Sequence, residues 1–92
     1  MLYTYYMKEI LHFTASWCQP CKKLQPIIEE FIDKNPEVMY TKIDVDEAKD
    51  KVNHYEIKSV PTLVILEDQF IFDRHSGVLT LEQLNNLVNG NQ

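Results

Sequence analysis

The fold of this chain is decided by one stretch, residues 10–23, which reads ILHFTASWCQPCKK. Residues 10–15 are apolar at nearly every position, which is typical of a central strand covered on both faces. The only two cysteines of the sequence, Cys18 and Cys21, follow with two residues between them. A helical pattern begins directly after them. We therefore predict a strand, a turn and a helix, with Cys18 where the helix begins.

The segment 21–34 has the periodicity of an amphipathic helix. Its apolar residues recur at spacings of three and four, which places them on one face. They are Leu24, Ile27, Ile28, Phe31 and Ile32. Pro26 lies inside the pattern and should kink the helix, and the Asn35-Pro36 pair should end it.

Three more strands are predicted downstream, at residues 38–45, 62–66 and 70–75. A three-residue turn separates the last two, so they should form an antiparallel hairpin. The first two strands of the chain enclose a helix long enough for a right-handed parallel crossover. The predicted fold is α/β, with a mixed four-stranded sheet, a possible fifth short strand at residues 2–6, and helices on both faces. The whole chain, 1–92, is predicted to be a single domain.

Two further helices complete this prediction. Asp46 is expected to cap a short helix that runs from Glu47 to about His54. Thr80 and Gln83 have the spacing of a capping box for the last helix, and Gly90 should end that helix.

Composition and charge exclude some classes of function. The net charge is −5 and the nine basic residues are scattered, which disfavours nucleic acid as a partner. No run approaches the ~18 apolar residues of a membrane span. The N-terminus lacks the features of a secretory signal, so we expect a cytoplasmic protein, or a secreted one whose signal has been removed.

A pair of cysteines with this spacing suits redox chemistry or a metal site. Zinc needs four ligands, and only His12, His54 and His75 are available besides the pair, none spaced as a second pair. The pattern therefore favours a redox-active dithiol over zinc. We interpret His54 and His75 as surface or strand-end residues.

The predicted start of the helix gives the two cysteine sulfurs different chemical roles. A thiol attacks a disulfide as its thiolate, and a free cysteine has a pKa of about 8.5. Free N–H groups and the helix dipole favour an anion at Cys18. We predict that Cys18, with an exposed sulfur, attacks a partner's disulfide, and that Cys21, deeper in the protein, resolves the mixed disulfide. Trp17 beside Cys18 is interpreted as a substrate contact, with a packing role as the alternative.

These residues together resemble the thioredoxin family. The resemblance covers about residues 10–90. The segment Trp17–Lys22 is similar to the active-site motif, and Ser59–Thr62 is similar to the loop whose cis proline, here Pro61, faces the cysteines. Further matches are Pro26 in the kinked helix, Lys42 near the buried cysteine and Gly77 beside the substrate groove.

The resemblance implies a thioredoxin-type protein-disulfide reductase that acts as a monomer without a bound cofactor, through a redox-active disulfide. It implies an NADPH-dependent thioredoxin reductase, or alternatively the glutathione system, as electron donor, and disulfide-containing proteins as clients. The client's backbone would pair beside Val60 as an added strand. The implied substrate groove consists of Trp17, Gln19, Pro20, Val60, Pro61 and Gly77.

The sequence departs from the family pattern at several positions. The segment before the first strand is shorter than usual, and Gln19 stands where a glycine is usual between the cysteines. Ser59 and Gln69 also replace usual glycines.

His12 takes the place of a buried aspartate beneath the active site. A neutral imidazole could accept the proton of the buried cysteine as that aspartate is thought to do. The alternative is a core histidine that is bonded to backbone or only fills space. For Lys42 the alternative to a place near the site is an ion pair with Asp44 or Asp46.

Two other functions are weighed against this one. A glutaredoxin-like, glutathione-dependent reductase is expected to carry Cys-Pro-Tyr-Cys, whereas here Trp17 precedes the pair and Gln19-Pro20 separates it. A non-catalytic binding module would have no need of both cysteines together with Pro20 and Pro61.

Overall fold

The computed structural model describes residues 7–90 of the chain. Within them, strands and helices follow one another in the predicted order. Their bounds are β1 Lys8–Thr14, α1 Gln19–Lys34, β2 Met39–Asp44, α2 Lys49–His54, β3 Thr62–Glu67, β4 Phe70–Ser76 and α3 Leu81–Asn89. The strand predicted at residues 2–6 lies outside the described residues.

The four strands form one mixed sheet in the order β2-β1-β3-β4. β1 runs parallel to β2 and antiparallel to β3, and β3 pairs with β4 as an antiparallel hairpin. The parallel pair is joined through α1, as the predicted crossover requires. These findings confirm the predicted α/β fold with a mixed four-stranded sheet.

Successive side chains of a strand point to opposite faces of the sheet, and each face has its own core. Ile10 belongs to the face covered by α1 and α3, and Leu11 to the face covered by α2. On the first face the sheet packs against Leu24, Ile28 and Phe31 of α1 and Leu84 and Val88 of α3. Full burial of such side chains contributes about 1.5–3 kcal/mol each. Helices therefore cover both faces, as predicted.

The first helix begins at Cys18, as predicted. Cys18 is its N-cap and Gln19 its first residue, so the helix starts two residues before the apolar pattern that runs from Cys21. Pro20 lies in the first turn, where a missing N–H costs nothing. Pro26 lies inside the helix, which continues beyond it and ends at the cap residue Asn35.

The prediction that Asp46 caps α2 is wrong. The N-cap is Ala48, which has no side-chain capping bond, and the helix begins at Lys49. The Asp44 carbonyl instead accepts hydrogen bonds from the N–H groups of Glu47 and Ala48, and its carboxylate accepts one from the N–H of Asp46. A turn organised by Asp44 therefore precedes a helix that is shorter than expected.

The last helix confirms its predicted boundaries. The Thr80 hydroxyl accepts a hydrogen bond from the Gln83 N–H at 3.0 Å, and the Gln83 side chain accepts one from the Thr80 N–H at 2.8 Å. Gly90 ends the helix in the left-handed conformation, at φ +75°. Between Met7 and Gly90 the structure contains no helix with the length and apolarity that crossing a membrane requires.

The β3–β4 turn generates a prediction about stability. Asp68 and Gln69 both have positive φ, at +53° and +73°, a conformation that favours glycine. We expect Gln69→Gly to raise the free energy of unfolding by about 1 kcal/mol, measured by urea denaturation, because it removes backbone strain. Ser59→Gly is the matched control. Ser59 has no positive φ, so glycine there should lower stability, and an equal gain at both positions would contradict the explanation.

Candidate active site

The two cysteines are positioned by the short connection between β1 and α1. The Cys18 N–H donates to the Ala15 carbonyl at 3.2 Å, and the Val45 N–H donates to the Thr14 carbonyl at 2.9 Å. The first bond closes the turn before the helix, and the second ties the end of β1 to the residue that follows β2. Cys18 and Cys21 form a disulfide, with their Cα atoms 5.3 Å apart.

The start of α1 provides a favourable environment for negative charge at Cys18. The Cys18 sulfur accepts a hydrogen bond from the Cys21 N–H at 3.2 Å, as a capping side chain does. No acidic residue lies in the first turn of this helix. Free N–H groups and the positive end of the helix dipole favour a thiolate at such a position. This arrangement suits Cys18 to act as attacking or leaving sulfur.

The expected contrast in burial between the cysteines is not found. Cys18 is 4% exposed and Cys21 is 3% exposed, so the prediction of an exposed Cys18 sulfur is wrong for the disulfide form. Both pack with Ala15 in a small cluster that Val45 and Val60 also contact. Position on the helix, rather than burial, is what distinguishes the two sulfurs.

The loop before β3 lies against the cysteines as the resemblance implies. The Val60–Pro61 peptide bond is cis. The Pro61 carbonyl accepts a hydrogen bond from the Gly77 N–H at 2.9 Å, which brings Gly77 next to this loop. Gly77 has φ +100°, a conformation that favours glycine over any other residue. Val60, Pro61 and Gly77 therefore lie together on the cysteine side of the sheet.

The exposure of Trp17 decides between its two predicted roles. Its side chain is 65% exposed, so it is not a core packing residue. The indole Nε1–H donates to the Asp46 carboxylate at 2.8 Å, which holds the ring in place. Trp17 and Val60 line one cleft of about 230 Å³. Gln19 and Pro20 are exposed beside the disulfide.

A second and larger cleft reaches the disulfide from Cys21. It measures about 680 Å³, and Lys42 and Gln25 are among the residues that line it. Lys42 and Cys21 thus line the same cleft. No ion pair joins it to Asp44 or Asp46, so the alternative for Lys42 is not supported.

His12 is fully buried on the sheet face that α1 covers. Its Nδ1 lies 3.0 Å from the Tyr40 hydroxyl, and its Nε2 has no hydrogen-bond partner. Burial, and secondarily the nearby Lys42 ammonium, lower the pKa of His12 to about 4. The ring is thus neutral at pH 7 and bonded to a side chain, not to backbone as the alternative proposed.

The other two histidines line neither of the two clefts beside the cysteines. His54 is exposed and packs edge-on against Tyr55, with ring centroids 4.7 Å apart. His75 lies in β4 with a buried, unpartnered Nε2. In the part of the chain that the structure describes, no three His, Cys, Asp or Glu side chains are grouped to hold a metal ion.

Three site residues were not predicted from the sequence: Asp46 as the partner of Trp17, Tyr40 as the partner of His12, and Gln25 as the partner of Tyr40. Trp17 and Asp46 are 29 residues apart, so no local pattern joins them. A signal does exist for Tyr40, because it lies two residues before Lys42 in β2 and therefore on the same face of the sheet.

Comparison with known proteins gives a consistent result. The thioredoxin family model matches residues 5–90. The thioredoxin of Mycoplasmoides gallisepticum is 36% identical over 81 residues, which are 88% of this chain and 81% of that protein. The thioredoxin of Chlamydia pneumoniae is 38% identical over 80 residues, which are 87% of this chain and 78% of that protein. The X-ray structure of Fasciola hepatica thioredoxin superposes with a TM-score of 0.85 at 29% identity, covering 94% of this chain and 82% of the other.

Because His12 is buried, we expect the free energy of unfolding to depend on pH. Its pKa is lower in the folded protein than the reference value of about 6.5, so the unfolded chain takes up the proton first. Its contribution to stability is therefore full above pH 6.5 and is lost as the pH falls towards 4. We expect His12 to lower the free energy of unfolding by about 2 kcal/mol between pH 7 and pH 4.5.

Urea denaturation at several pH values measures this effect. His12→Gln should remove this part of the pH dependence, whereas His54→Gln, at an exposed position, should retain it. Equal slopes for His12→Gln and the parent protein would contradict the assignment.

Proposed function

Because this chain belongs to the thioredoxin family, whose members are thiol–disulfide oxidoreductases, we propose that it reduces disulfide bonds in client proteins. The observation that carries this proposal is the position of Cys18, the N-cap of α1, in a disulfide with Cys21 one turn further along. In the reduced form, the position of Cys18 favours its thiolate. The thiol of Cys21 lies beside it and can displace a client sulfur that is bonded to Cys18.

The proposed cycle has two exchange steps. The Cys18 thiolate attacks one sulfur of a client disulfide, the client's other sulfur leaves as a thiolate, and a mixed disulfide forms. Cys21 then loses its proton and attacks the Cys18 sulfur, which releases the second client sulfur as a thiolate. The client gains two electrons, and the Cys18–Cys21 disulfide is restored.

We propose that the client binds across the groove of Trp17, Gln19, Pro20, Val60, Pro61 and Gly77. The open cleft between Trp17 and Val60 supports this proposal. Among residues 7–90, Val60 takes part in none of the backbone hydrogen bonds, so its N–H and C=O are free to pair with an extended client segment. Lys42, in the cleft that Cys21 lines, would favour negative charge near the resolving sulfur.

The proposed electron donor is an NADPH-dependent thioredoxin reductase, which returns the disulfide to the dithiol after each cycle. The proposed setting is the cytoplasm, where thiols are kept reduced. The proposed working form is a monomer. The family resemblance supports the proposed donor and the monomer, and the lack of secretory-signal features in the N-terminal sequence supports the proposed setting.

Insulin reduction tests this proposal and identifies the donor. We expect the chain to accelerate precipitation of the insulin B chain when NADPH and thioredoxin reductase supply electrons, at a rate at least ten times that with NADPH, glutathione reductase and glutathione. The Cys18→Ser variant is the control and should be inactive with either donor. A faster rate with glutathione would favour the glutaredoxin-like alternative, and inactivity of the parent chain even with dithiothreitol would favour the binding module.

A further inference from the structure

The buried side chain of His12 is one member of a hydrogen-bonded network that runs to the surface. His12 Nδ1 lies 3.0 Å from the Tyr40 hydroxyl, which in turn lies 3.2 Å from the Gln25 side-chain nitrogen. The same nitrogen lies 3.0 Å from the Glu29 carboxylate. Four side chains from β1, β2 and α1 are thus connected in series beneath the helix that carries the cysteines.

The donors and acceptors of this network fix the direction of each hydrogen bond. An ionised carboxylate only accepts, so the group of Gln25 that faces Glu29 is the NH₂ and not the oxygen. The second hydrogen of that NH₂ points to the Tyr40 oxygen, which accepts it. The Tyr40 proton then needs an acceptor, and among its hydrogen-bond partners only His12 Nδ1 can serve. This direction of the hydrogen bonds assigns the proton of the neutral His12 ring to Nε2.

The charge states of these groups agree with this assignment. Burial and the nearby Lys42 keep the His12 ring neutral by lowering its pKa, as described above. Burial is also the main cause that raises the pKa of Tyr40, so the hydroxyl keeps its proton. Gln25 opposes that shift and Glu29 adds to it. At neutral pH the network therefore presents one buried donor, Nε2–H, that has no acceptor in the disulfide form.

A buried donor without an acceptor costs free energy, so its presence in a folded protein calls for an explanation. His12 lies in the layer between β1 and α1, two residues before Thr14, which lines the same cleft as Cys21. The buried members of α1 in this layer are Cys21, Leu24, Ile28 and Phe31. Only the cysteine can become an anion, and it does so when the disulfide is opened.

We propose that His12, held by Tyr40 in its Nε2–H form, donates a hydrogen bond to the Cys21 thiolate in the resolving step. This role differs from that of a proton acceptor, and it rests on the proposed function. The Cys21 proton passes to water in the cleft of Lys42, the thiolate attacks the Cys18 sulfur, and the bond from Cys18 to the client breaks. The client sulfur leaves as a thiolate and takes a proton from solvent. Tyr40 and Gln25 are positioning residues in this account.

Two substitutions distinguish a donor from a base. A glutamine side chain places an N–H near the position of Nε2 and cannot take up a proton, whereas asparagine places its amide near Nδ1. In single-turnover release of a client from its mixed disulfide with Cys18, we expect His12→Gln to stay within threefold of the parent rate. His12→Asn and His12→Ala should be at least tenfold slower. A His12→Gln rate as low as that of His12→Ala would overturn the proposal in favour of a base.

The tautomer is measured separately by ¹⁵N NMR of the three histidine rings in the oxidised protein. We expect His12 at pH 7 to be neutral and protonated on Nε2, and Tyr40→Phe to populate the Nδ1–H form. Tyr55→Phe, on the opposite sheet face against Phe13, is the matched control and should change nothing. Protonation of parent His12 on Nδ1, or on both nitrogens, would overturn the proposal. This readout needs no client, so it is independent of whether the chain reduces insulin.

Discussion

The direct succession of β1 and α1 is the constraint on which the rest of this structure depends. Only residues 15–18 connect them, and the parallel pairing of β1 with β2 requires α1 to cross one face of the sheet. Burial of the apolar side of α1 on that face then fixes where the helix begins. The N-terminus of the helix therefore lies at the end of the sheet where β1 ends, and Cys18 is the residue at that N-terminus.

The antiparallel pairing of β3 with β1 brings the loop before β3, which forms part of the proposed groove, to the same end of the sheet. Phe13 pairs with Thr62, so the residues just before Thr62 lie beside the end of β1. Those residues are Val60 and Pro61, and the β3–β4 hairpin returns Gly77 to them. The disulfide and the groove thus lie together at one end of the sheet, although three separate segments of the chain supply their residues.

The same register places polar groups where the family usually has a carboxylate. His12 and Lys42 are paired across β1 and β2, and Tyr40 lies two residues away on the same face as His12. A histidine at this depth needs partners, because an isolated buried polar group is costly. The Tyr40 hydroxyl is the partner of its Nδ1, and Gln25 donates in turn to that hydroxyl. The Nε2 group is left unpartnered beneath the active-site helix, and this makes its role in catalysis testable.

Much of the fold was predictable because local spacing encodes it. The apolar run of β1, the periodicity of α1 and the Thr80–Gln83 capping box are all patterns within a few residues of one another. The failed predictions concern contacts between distant segments. Asp46 has a suitable side chain for a cap, but it bonds to Trp17 and leaves the capping position to Ala48.

In the candidate site too, features within a local motif were predictable, whereas features that depend on distant segments were not. The cysteines, the cis proline and Gly77 are recognisable from the sequence motif. The burial of Cys18 is not, because Val45 and Val60, which pack against its cluster, come from other parts of the chain. The contact between Tyr40 and His12 also depends on the register of β2 against β1, and a shift of one residue would turn Tyr40 to the opposite face.

The helix N-terminus makes Cys18 the attacking sulfur and leaves Cys21 to resolve the mixed disulfide. Trapping of a disulfide-containing client by single-cysteine variants tests it most directly, with mass spectrometry to locate the bond. The account predicts that Cys21→Ser accumulates a stable mixed disulfide through Cys18, whereas Cys18→Ser accumulates little. Accumulation by Cys18→Ser, with the client bound to Cys21, would contradict the assignment of the two roles.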